Sequence, residues 1–183
     1  MRIIAGSAGG LPLKAPPDGL RPTMDRVRAA IFSSLGDLVP DAKILDLFAG
    51  SGAMGIEALS RGADAAVFVD SNERCTRCIR ENLRSTRLEG GVQTLDAYRF
   101  IDLYAEPSRF DLIFADPPYH KRDTDTDHAA ELVRLEKLAA ALRPSGLLVL
   151  EKNARDPLPQ DSVFELVKSR RYGGSEILYL APR

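Results

Sequence analysis

The chain has 183 residues, of which 44% are hydrophobic and 28% are charged, and its formal net charge is -1. This length fits one domain with a core of ordinary size, and the near-zero net charge excludes nucleic-acid binding driven by the overall charge of the molecule. No apolar run approaches the ~20 residues that a membrane-spanning helix needs. We therefore expect a monomeric protein that acts in the cytoplasm and not in a membrane.

The first 35 residues predict a small extension followed by a helix. Two short stretches, 2–5 and 11–14, flank a glycine-rich turn, a pattern typical of a β-hairpin. Thr23 can cap a helix over 24–35, in which apolar side chains recur at helical spacing. We assign residues 1–20 to an N-terminal hairpin extension and residues 21–183 to the main domain.

From residue 43 onward, short apolar runs alternate with helical segments. Strands are predicted at 43–48, 65–70, 92–96, 110–115 and 146–151, and helices at 53–61, 73–87, 97–104 and 129–142. Apolar strands that alternate with helices are typical of a doubly wound α/β sheet with both faces covered. The segments 163–171 and 176–180, joined through Gly173 and Gly174, predict an antiparallel hairpin that closes the sheet edge.

A glycine-rich loop follows the first predicted strand. Gly50, Gly52 and Gly55 form a Gly-x-Gly-x-x-Gly pattern, and Asp70 ends the second strand 18 positions after Gly52. This arrangement fits two cofactors, a nicotinamide dinucleotide or S-adenosylmethionine. Asp46 favours S-adenosylmethionine, because a carboxylate would repel a pyrophosphate but attract a sulfonium and an ammonium group.

Acidic residues follow, or nearly end, four predicted strands: Asp46, Asp70, Asp96 and Asp116. Because the carboxyl ends of parallel strands share one edge of a sheet, we expect these carboxylates to line one rim. Asp96 can also cap the helix that starts after it. We predict cofactor contacts from Asp46, Phe48, Ala49, Gly50, Gly52, Asp70, Ser71, Asp96 and Ala97.

The stretch Asp116-Pro117-Pro118-Tyr119 directly follows the apolar run at 110–115. The prolines stiffen the turn and remove N–H donors, so its carbonyl groups remain free to accept hydrogen bonds. Such a turn suits an exocyclic amine on a flat base. We predict that the Asp116 carboxylate and the Pro117 carbonyl accept its two N–H groups while Tyr119 stacks on the base.

Two further patterns predict no site. Cys75 and Cys78 form one Cys-x-x-Cys with no second pair to complete a metal site, so we predict no metal. The polar segment 120–127 lacks the glycine and the glutamate that a calcium-binding loop needs. We interpret it as a solvated loop, with Asp127 as the cap of the next helix.

Several blocks together resemble a known family: residues 2–6 (RIIAG), 21–28 (RPTMDRVR), 45–52 (LDLFAGSG), 55–63 (GIEALSRGA) and 116–119 (DPPY). They resemble the bacterial 16S ribosomal RNA guanine-N2 methyltransferases of the RsmD type over almost the whole chain. The resemblance implies a Rossmann-like class I S-adenosylmethionine-dependent methyltransferase with a mostly parallel seven-stranded sheet. It also implies methylation of one guanine N2 in 16S rRNA, within the small ribosomal subunit or an assembly intermediate.

The resemblance further implies that residues near the N-terminus contact the RNA. We expect this role for Arg2, Lys14, Arg21, Thr23 and Arg26. Residues 7–12 contain no basic side chain, whereas relatives usually carry a more basic hairpin, so we expect few phosphate contacts there. Two alternatives remain open, an adenine-N6 methyltransferase acting on DNA or RNA, and a non-catalytic rRNA-binding assembly factor.

Overall fold

A computed structural model describes residues 1–16, 25–119 and 126–183. Arg21, Thr23 and the predicted domain boundary at residue 20 lie outside the described residues, as does most of the polar segment 120–127. Within the described ranges, no helix is both long and apolar enough to cross a membrane.

Within the described residues, seven strands form one sheet: β1 (Lys43–Leu47), β2 (Ala65–Asp70), β3 (Gly91–Thr94), β4 (Phe110–Ala115), β5 (Leu142–Asn153), β6 (Phe164–Tyr172) and β7 (Ser175–Pro182). Their order across the sheet is β3-β2-β1-β4-β5-β7-β6. The first five strands pair in parallel, and β7 lies antiparallel between β5 and β6. Strand order reverses between β1 and β4, where open α/β sheets place their ligand crevice.

In the part of the chain that the structure describes, six α-helices cover the two faces of the sheet: α1 (Asp25–Leu35), α2 (Ala53–Ser60), α3 (Glu73–Thr86), α4 (Ala97–Tyr104), α5 (His128–Leu132) and α6 (Glu136–Ala141). The predicted cap of α5 is confirmed, because the Asp127 carboxylate accepts a hydrogen bond from the Ala130 N–H at 3.0 Å. The helix predicted at 97–104 and the strands predicted at 65–70 and 110–115 have the predicted bounds.

The core consists of two apolar clusters, one on each face of the sheet. One cluster joins α1, α2, α3 and the N-terminal segment, with Phe32, Ile56 and Ile79 fully buried. The other joins α4, α5 and α6 around residues such as Phe100 and Leu138. Covering both faces explains why the central strands β1, β2 and β4 read as continuous apolar runs in the sequence.

The prediction of one helix over 129–142 is wrong. The segment forms α5 and α6, and between them the Val133 carbonyl accepts a hydrogen bond from the Val163 N–H at 2.9 Å, a partner thirty residues away. The strand predicted at 146–151 is also longer than expected. Leu142 already pairs with Phe110 of β4, so β5 begins where the helix was expected to end.

The N-terminal hairpin forms with minimal strand pairing. Arg2 and Pro12 make one antiparallel bridge, and the Ile3 N–H donates to the Leu11 carbonyl at 2.9 Å. Pro12 has no N–H, so it cannot donate to a longer ladder. Ile3 and Leu13 are nonetheless buried in the core, which fixes the segment against the helices.

A buried carboxylate on α2 anchors this segment. Glu57 is fully buried and accepts hydrogen bonds from the N–H groups of Ile4 at 2.8 Å and Ala5 at 3.1 Å. Arg61 pairs with the same carboxylate at 2.7 Å, and the fully buried Arg28 of α1 lies 3.6 Å from it. The backbone of the RIIAG block is therefore fixed to the RPTMDRVR and GIEALSRGA blocks through one side chain.

Gly6 is required by the close approach of this segment to α2. Its φ is +86°, and a Cβ at this position would lie 1.7 Å from the Ser60 carbonyl oxygen. We expect Gly6→Ala to destabilise the protein by about 2 to 4 kcal/mol, because backbone strain and a clash with main chain add together. The free energy of unfolding in denaturant measures the change.

Gly10→Ala is the matched control, since Gly10 has the same φ but a Cβ added there would meet open space. Equal losses of stability in the two variants would contradict this explanation.

Candidate active site

The structure places the four predicted strand-end acids at one edge of the sheet. Asp46 is the fourth residue of β1, Asp70 ends β2, and Asp116 directly follows β4. Asp96 lies two residues beyond β3, which ends earlier than predicted because the chain has already turned into the start of α4. Since β1 lies between β2 and β4, Asp46, Asp70 and Asp116 converge on the crevice.

The glycine-rich loop is fixed against the end of β2. The Gly50 N–H donates to one Asp70 carboxylate oxygen at 2.8 Å, and the Ala49 N–H donates to the Val69 carbonyl at 3.1 Å. Phe48, Gly50 and Gly52 all have positive φ values, between 54° and 76°. A non-glycine residue in this region stores strain, a feature that concentrates at functional sites.

The third glycine of the pattern, Gly55, is required by the packing of α2 on the sheet. A Cβ there would lie 2.3 Å from the Phe68 ring of β2, so only glycine lets α2 pack this closely on the sheet. The Gly55 N–H also donates to Asp46 at 2.9 Å.

Asp46 is a buried acid without a cationic partner. Its side chain is almost completely buried, and no ion pair joins it to a basic residue in the part of the chain that the structure describes. The pKa of Asp46 is raised to about 8, mainly by burial and in smaller part by the nearby charges of Asp116 and Asp70, while the Gly55 N–H opposes the shift. A cationic ligand would therefore stabilise the ionised form of Asp46, and the ammonium and sulfonium groups of S-adenosylmethionine are cations of this kind.

The remaining predicted cofactor residues surround the same opening. The second Asp70 oxygen accepts from the Asn72 N–H at 2.8 Å, and Asp96 caps α4 by accepting from Tyr98 and Arg99 at 3.0 and 3.1 Å. Ala97 is buried and Ser71 is exposed. A carboxylate has about four lone pairs, so both acids retain acceptor capacity for ribose hydroxyls or an exocyclic amine.

An aromatic cluster beside Asp96 was missed from the sequence. The Tyr98 hydroxyl lies 2.8 Å from His128 Nδ1, and the Phe48 ring lies 5.9 Å from the imidazole and 6.5 Å from the Tyr98 ring. His128 is the first residue of α5, directly after the Asp127 cap, and it joins this cluster. The three residues are distant in sequence, so no local pattern indicated their contact.

Hydrogen bonds of the Tyr119 hydroxyl hold the turn after β4 in place. Pro117 is buried, whereas Asp116 and Pro118 are exposed and Tyr119 is 40% exposed. The Tyr119 hydroxyl donates to a Glu151 carboxylate oxygen at 2.7 Å and lies 2.7 Å from Ser175 Oγ. Partial burial raises the pKa of Tyr119, so the phenol stays protonated and able to donate.

Glu151 and Ser175 had not been predicted as site residues. They lie on β5 and β7, which pair antiparallel, and this pairing brings both side chains to the Tyr119 hydroxyl. The sequence signal was weak, because neither residue stands in a recognisable motif. Their contacts hold the Tyr119 ring at its hydroxyl end.

We expect Tyr119→Phe to weaken substrate binding more than folding. The variant keeps the ring but loses both hydroxyl contacts, so the stability loss should be about 1 kcal/mol and the KM for the acceptor should rise several-fold. Steady-state kinetics and thermal unfolding measure the two effects. Tyr104→Phe is the control, because the exposed Tyr104 hydroxyl makes no hydrogen bond within the described ranges. Equal kinetic effects in both variants would argue against a positioning role for the hydroxyl.

The predicted RNA-contact residues that the structure describes lie on exposed surface. Arg2, Lys14 and Arg26 are exposed, and Lys14 pairs with Glu81 of α3 at 2.9 Å. The Lys14 backbone is joined to α3 as well, since its N–H donates to the Asn82 side chain at 2.8 Å. The N-terminal segment and α3 thus form one continuous surface.

The strand order, the antiparallel β7 and the acid-lined crevice define a class I S-adenosylmethionine-dependent methyltransferase fold. The chain belongs to the family described as Conserved hypothetical protein 95, which matches residues 1–181, and the family predicted from the motifs is confirmed. It is similar to Ribosomal RNA small subunit methyltransferase D of Escherichia coli strain K12, with 32% identity over 87% of this chain and 78% of that protein.

Two solved structures share the fold. A hypothetical protein of Thermus thermophilus matches with a TM-score of 0.82 and 34% identity over 99% of each chain. A 16S rRNA N2 methyltransferase of the same organism, in complex with AdoMet and guanosine, matches with a TM-score of 0.72 and 25% identity, over 92% of this chain and 45% of that chain.

Proposed function

We propose that this protein transfers a methyl group from S-adenosylmethionine to the exocyclic N2 of a guanine in 16S rRNA. The substrate is the small ribosomal subunit or an assembly intermediate, and the enzyme acts as a monomer. The position of Asp116 and Pro117 carries the proposal, because they follow β4 directly beside Asp46 of β1. The names of the similar rRNA methyltransferases support rRNA as the substrate.

The chain offers a specific set of contacts for the cofactor. When bound, S-adenosylmethionine supplies an electrophilic methyl group on a sulfonium and leaves as S-adenosylhomocysteine. Asp46 provides the negative charge for its cationic end, and Asp70 accepts from the ribose hydroxyls while holding the loop at Gly50. Asp96 accepts from the adenine amine, and the neighbouring Phe48 ring gives the adenine an apolar contact.

The turn after β4 activates the amine. An exocyclic purine amine is a poor nucleophile because its lone pair is delocalised into the ring. The Asp116 carboxylate and the Pro117 carbonyl accept its two N–H groups, which favours tetrahedral nitrogen and directs the lone pair at the methyl carbon. Tyr119 stacks on the base, a contact worth about 1 to 3 kcal/mol.

The proton and the electrons can be followed through the step. As the N–C bond forms, the C–S bond breaks and its electron pair returns to sulfur, so the nitrogen becomes cationic. Asp116 receives the proton that the nitrogen then loses, and passes it to solvent, since this side chain is exposed. A strong general base is not needed, because a cationic nitrogen of this kind is acidic.

Methyl transfer to ribosomal particles tests the proposal. Small subunits from a strain that lacks the gene should accept labelled methyl groups from the purified enzyme, whereas subunits from the parent strain, already modified, should accept almost none. Transfer to duplex DNA instead would show that the substrate is wrong. Binding of particles without any transfer would support the assembly-factor alternative.

A further inference from the structure

Helix α3 carries a row of arginines on its outer side. Between Glu73 and Arg87 the sequence contains five arginines and two glutamates, a surplus of three positive charges in a chain whose net charge is -1. The five are spaced by three or four residues and all are exposed: Arg74, Arg77, Arg80, Arg84 and Arg87. Residues at this spacing lie about 5 to 6 Å apart along one side of a helix.

Four of these guanidinium groups have no carboxylate partner. Arg77, Arg80, Arg84 and Arg87 form no ion pair within the described ranges. Several other arginines of the chain do pair with acids, for example Arg61, Arg134 and Arg143 at 2.7 to 2.8 Å. These four arginines therefore form a positive surface that ion pairing within the described ranges leaves largely unneutralised.

This surface begins at the crevice and continues towards the N-terminal segment. Asn72 caps α3 by accepting from the Arg74 N–H at 2.9 Å, so the helix starts three residues after Asp70 of the cofactor site. At the next turns, Glu81 forms its ion pair with Lys14 at 2.9 Å, and it also feels the charges of Arg84 and Arg77 without pairing with either. The opposite side of α3 is buried, which orients the row outward.

We infer that the outer surface of α3 binds the phosphate backbone of the RNA substrate, an assignment that rests on the proposed function. Guanidinium groups match phosphate oxygens in a bidentate geometry, and a row of them can follow successive phosphates. The N-terminal hairpin has few basic residues, so α3 supplies the charge that it lacks. The contact holds the RNA while the target base enters the crevice, and it carries no base specificity.

A double variant and its matched control test this inference. Arg77→Gln with Arg84→Gln removes two unpaired charges from α3, and Arg170→Gln with Arg183→Gln removes two exposed, unpaired charges at the other end of the sheet. Binding of the full-length protein to unmodified 16S rRNA is measured between about 50 and 200 mM salt. The α3 variant should bind about 10-fold or more weakly at low salt, with the slope of log K against log salt reduced in magnitude by about 1.4 to 1.8.

The expected pattern is specific. The α3 variant should raise the KM for particles while kcat at saturating particle and the affinity for S-adenosylhomocysteine stay unchanged, and the control variant should behave as wild type. An unchanged salt slope in the α3 variant, or an equal loss in the control, would overturn the inference while leaving the proposed function intact. Wild-type methyl transfer confined to DNA would instead overturn the proposed function and this inference together. The inference would also be overturned if the α3 variant bound RNA like wild type but lost binding to anionic phospholipid vesicles, because the surface would then be a membrane contact.

Discussion

Asp116→Ala should reduce kcat for methyl transfer by at least about 100-fold, because it removes one of the two acceptors that localise the amine lone pair. The carboxylate lies outside the predicted cofactor contacts, so the affinity for S-adenosylhomocysteine should change little. Removing its charge also lowers the electrostatic cost of ionising Asp46, since Asp116 contributes to the raised pKa of that residue. Single-turnover transfer to unmodified particles measures the chemical step.

Asp64→Ala is the control for this variant. Asp64 is an exposed carboxylate that precedes β2, at the opposite edge of the sheet from the crevice. It should transfer methyl groups at the wild-type rate. Full activity in Asp116→Ala, with a single-turnover rate equal to that of the control, would remove Asp116 from the catalytic step.

Asp46 should make cofactor binding depend on pH. Its pKa is about 8 in the free protein, so the acid is mostly protonated at neutral pH. Binding of a cation favours the ionised form, so the affinity for S-adenosylmethionine should rise by up to about tenfold per pH unit below 8 and level off above it. At about pH 7, binding should release about 0.9 proton, because roughly nine-tenths of the free protein carries the proton.

Calorimetry in buffers of different ionisation enthalpy measures this proton release. Asp46→Asn should abolish it and weaken binding by about 10- to 100-fold at about pH 9, where the wild-type carboxylate is ionised. The folded-state pKa is raised above the unfolded value, so wild-type stability relative to the variant should fall as pH rises from about 4 to about 8. Equal proton release in the two proteins would show that another group titrates.

The sequence allowed prediction of the sheet because its central strands β1, β2 and β4 are apolar on both faces and acidic residues lie at or near their ends. The runs 65–70 and 110–115 had clear bounds, since Gly62 and the residues around Ser108 interrupt the helices before them. The interruption between α5 and α6 could not be predicted, because it depends on a hydrogen bond to Val163.

In the site, too, features set by nearby residues could be predicted from the sequence, whereas contacts between distant segments could not. Asp46, Asp70 and Asp116 follow from strand ends, which are local features. The contacts of Tyr119 with Glu151 and Ser175, and of Tyr98 with His128, join segments about 30 to 56 residues apart, so only the fold reveals them. The helical spacing of the arginines on α3 is present in the sequence, but only the structure shows that Arg77, Arg80, Arg84 and Arg87 form no ion pair within the described ranges.

The identity of the methylated nucleoside tests the central claim most directly. Digestion of 16S rRNA to nucleosides, followed by mass spectrometry, should show one N2-methylguanosine per molecule that is absent without the gene and restored by adding the enzyme to purified subunits. Restoration should fail with Asp116→Ala. Appearance of N6-methyladenosine in its place, or the same N2-methylguanosine content with and without the gene, would contradict the account.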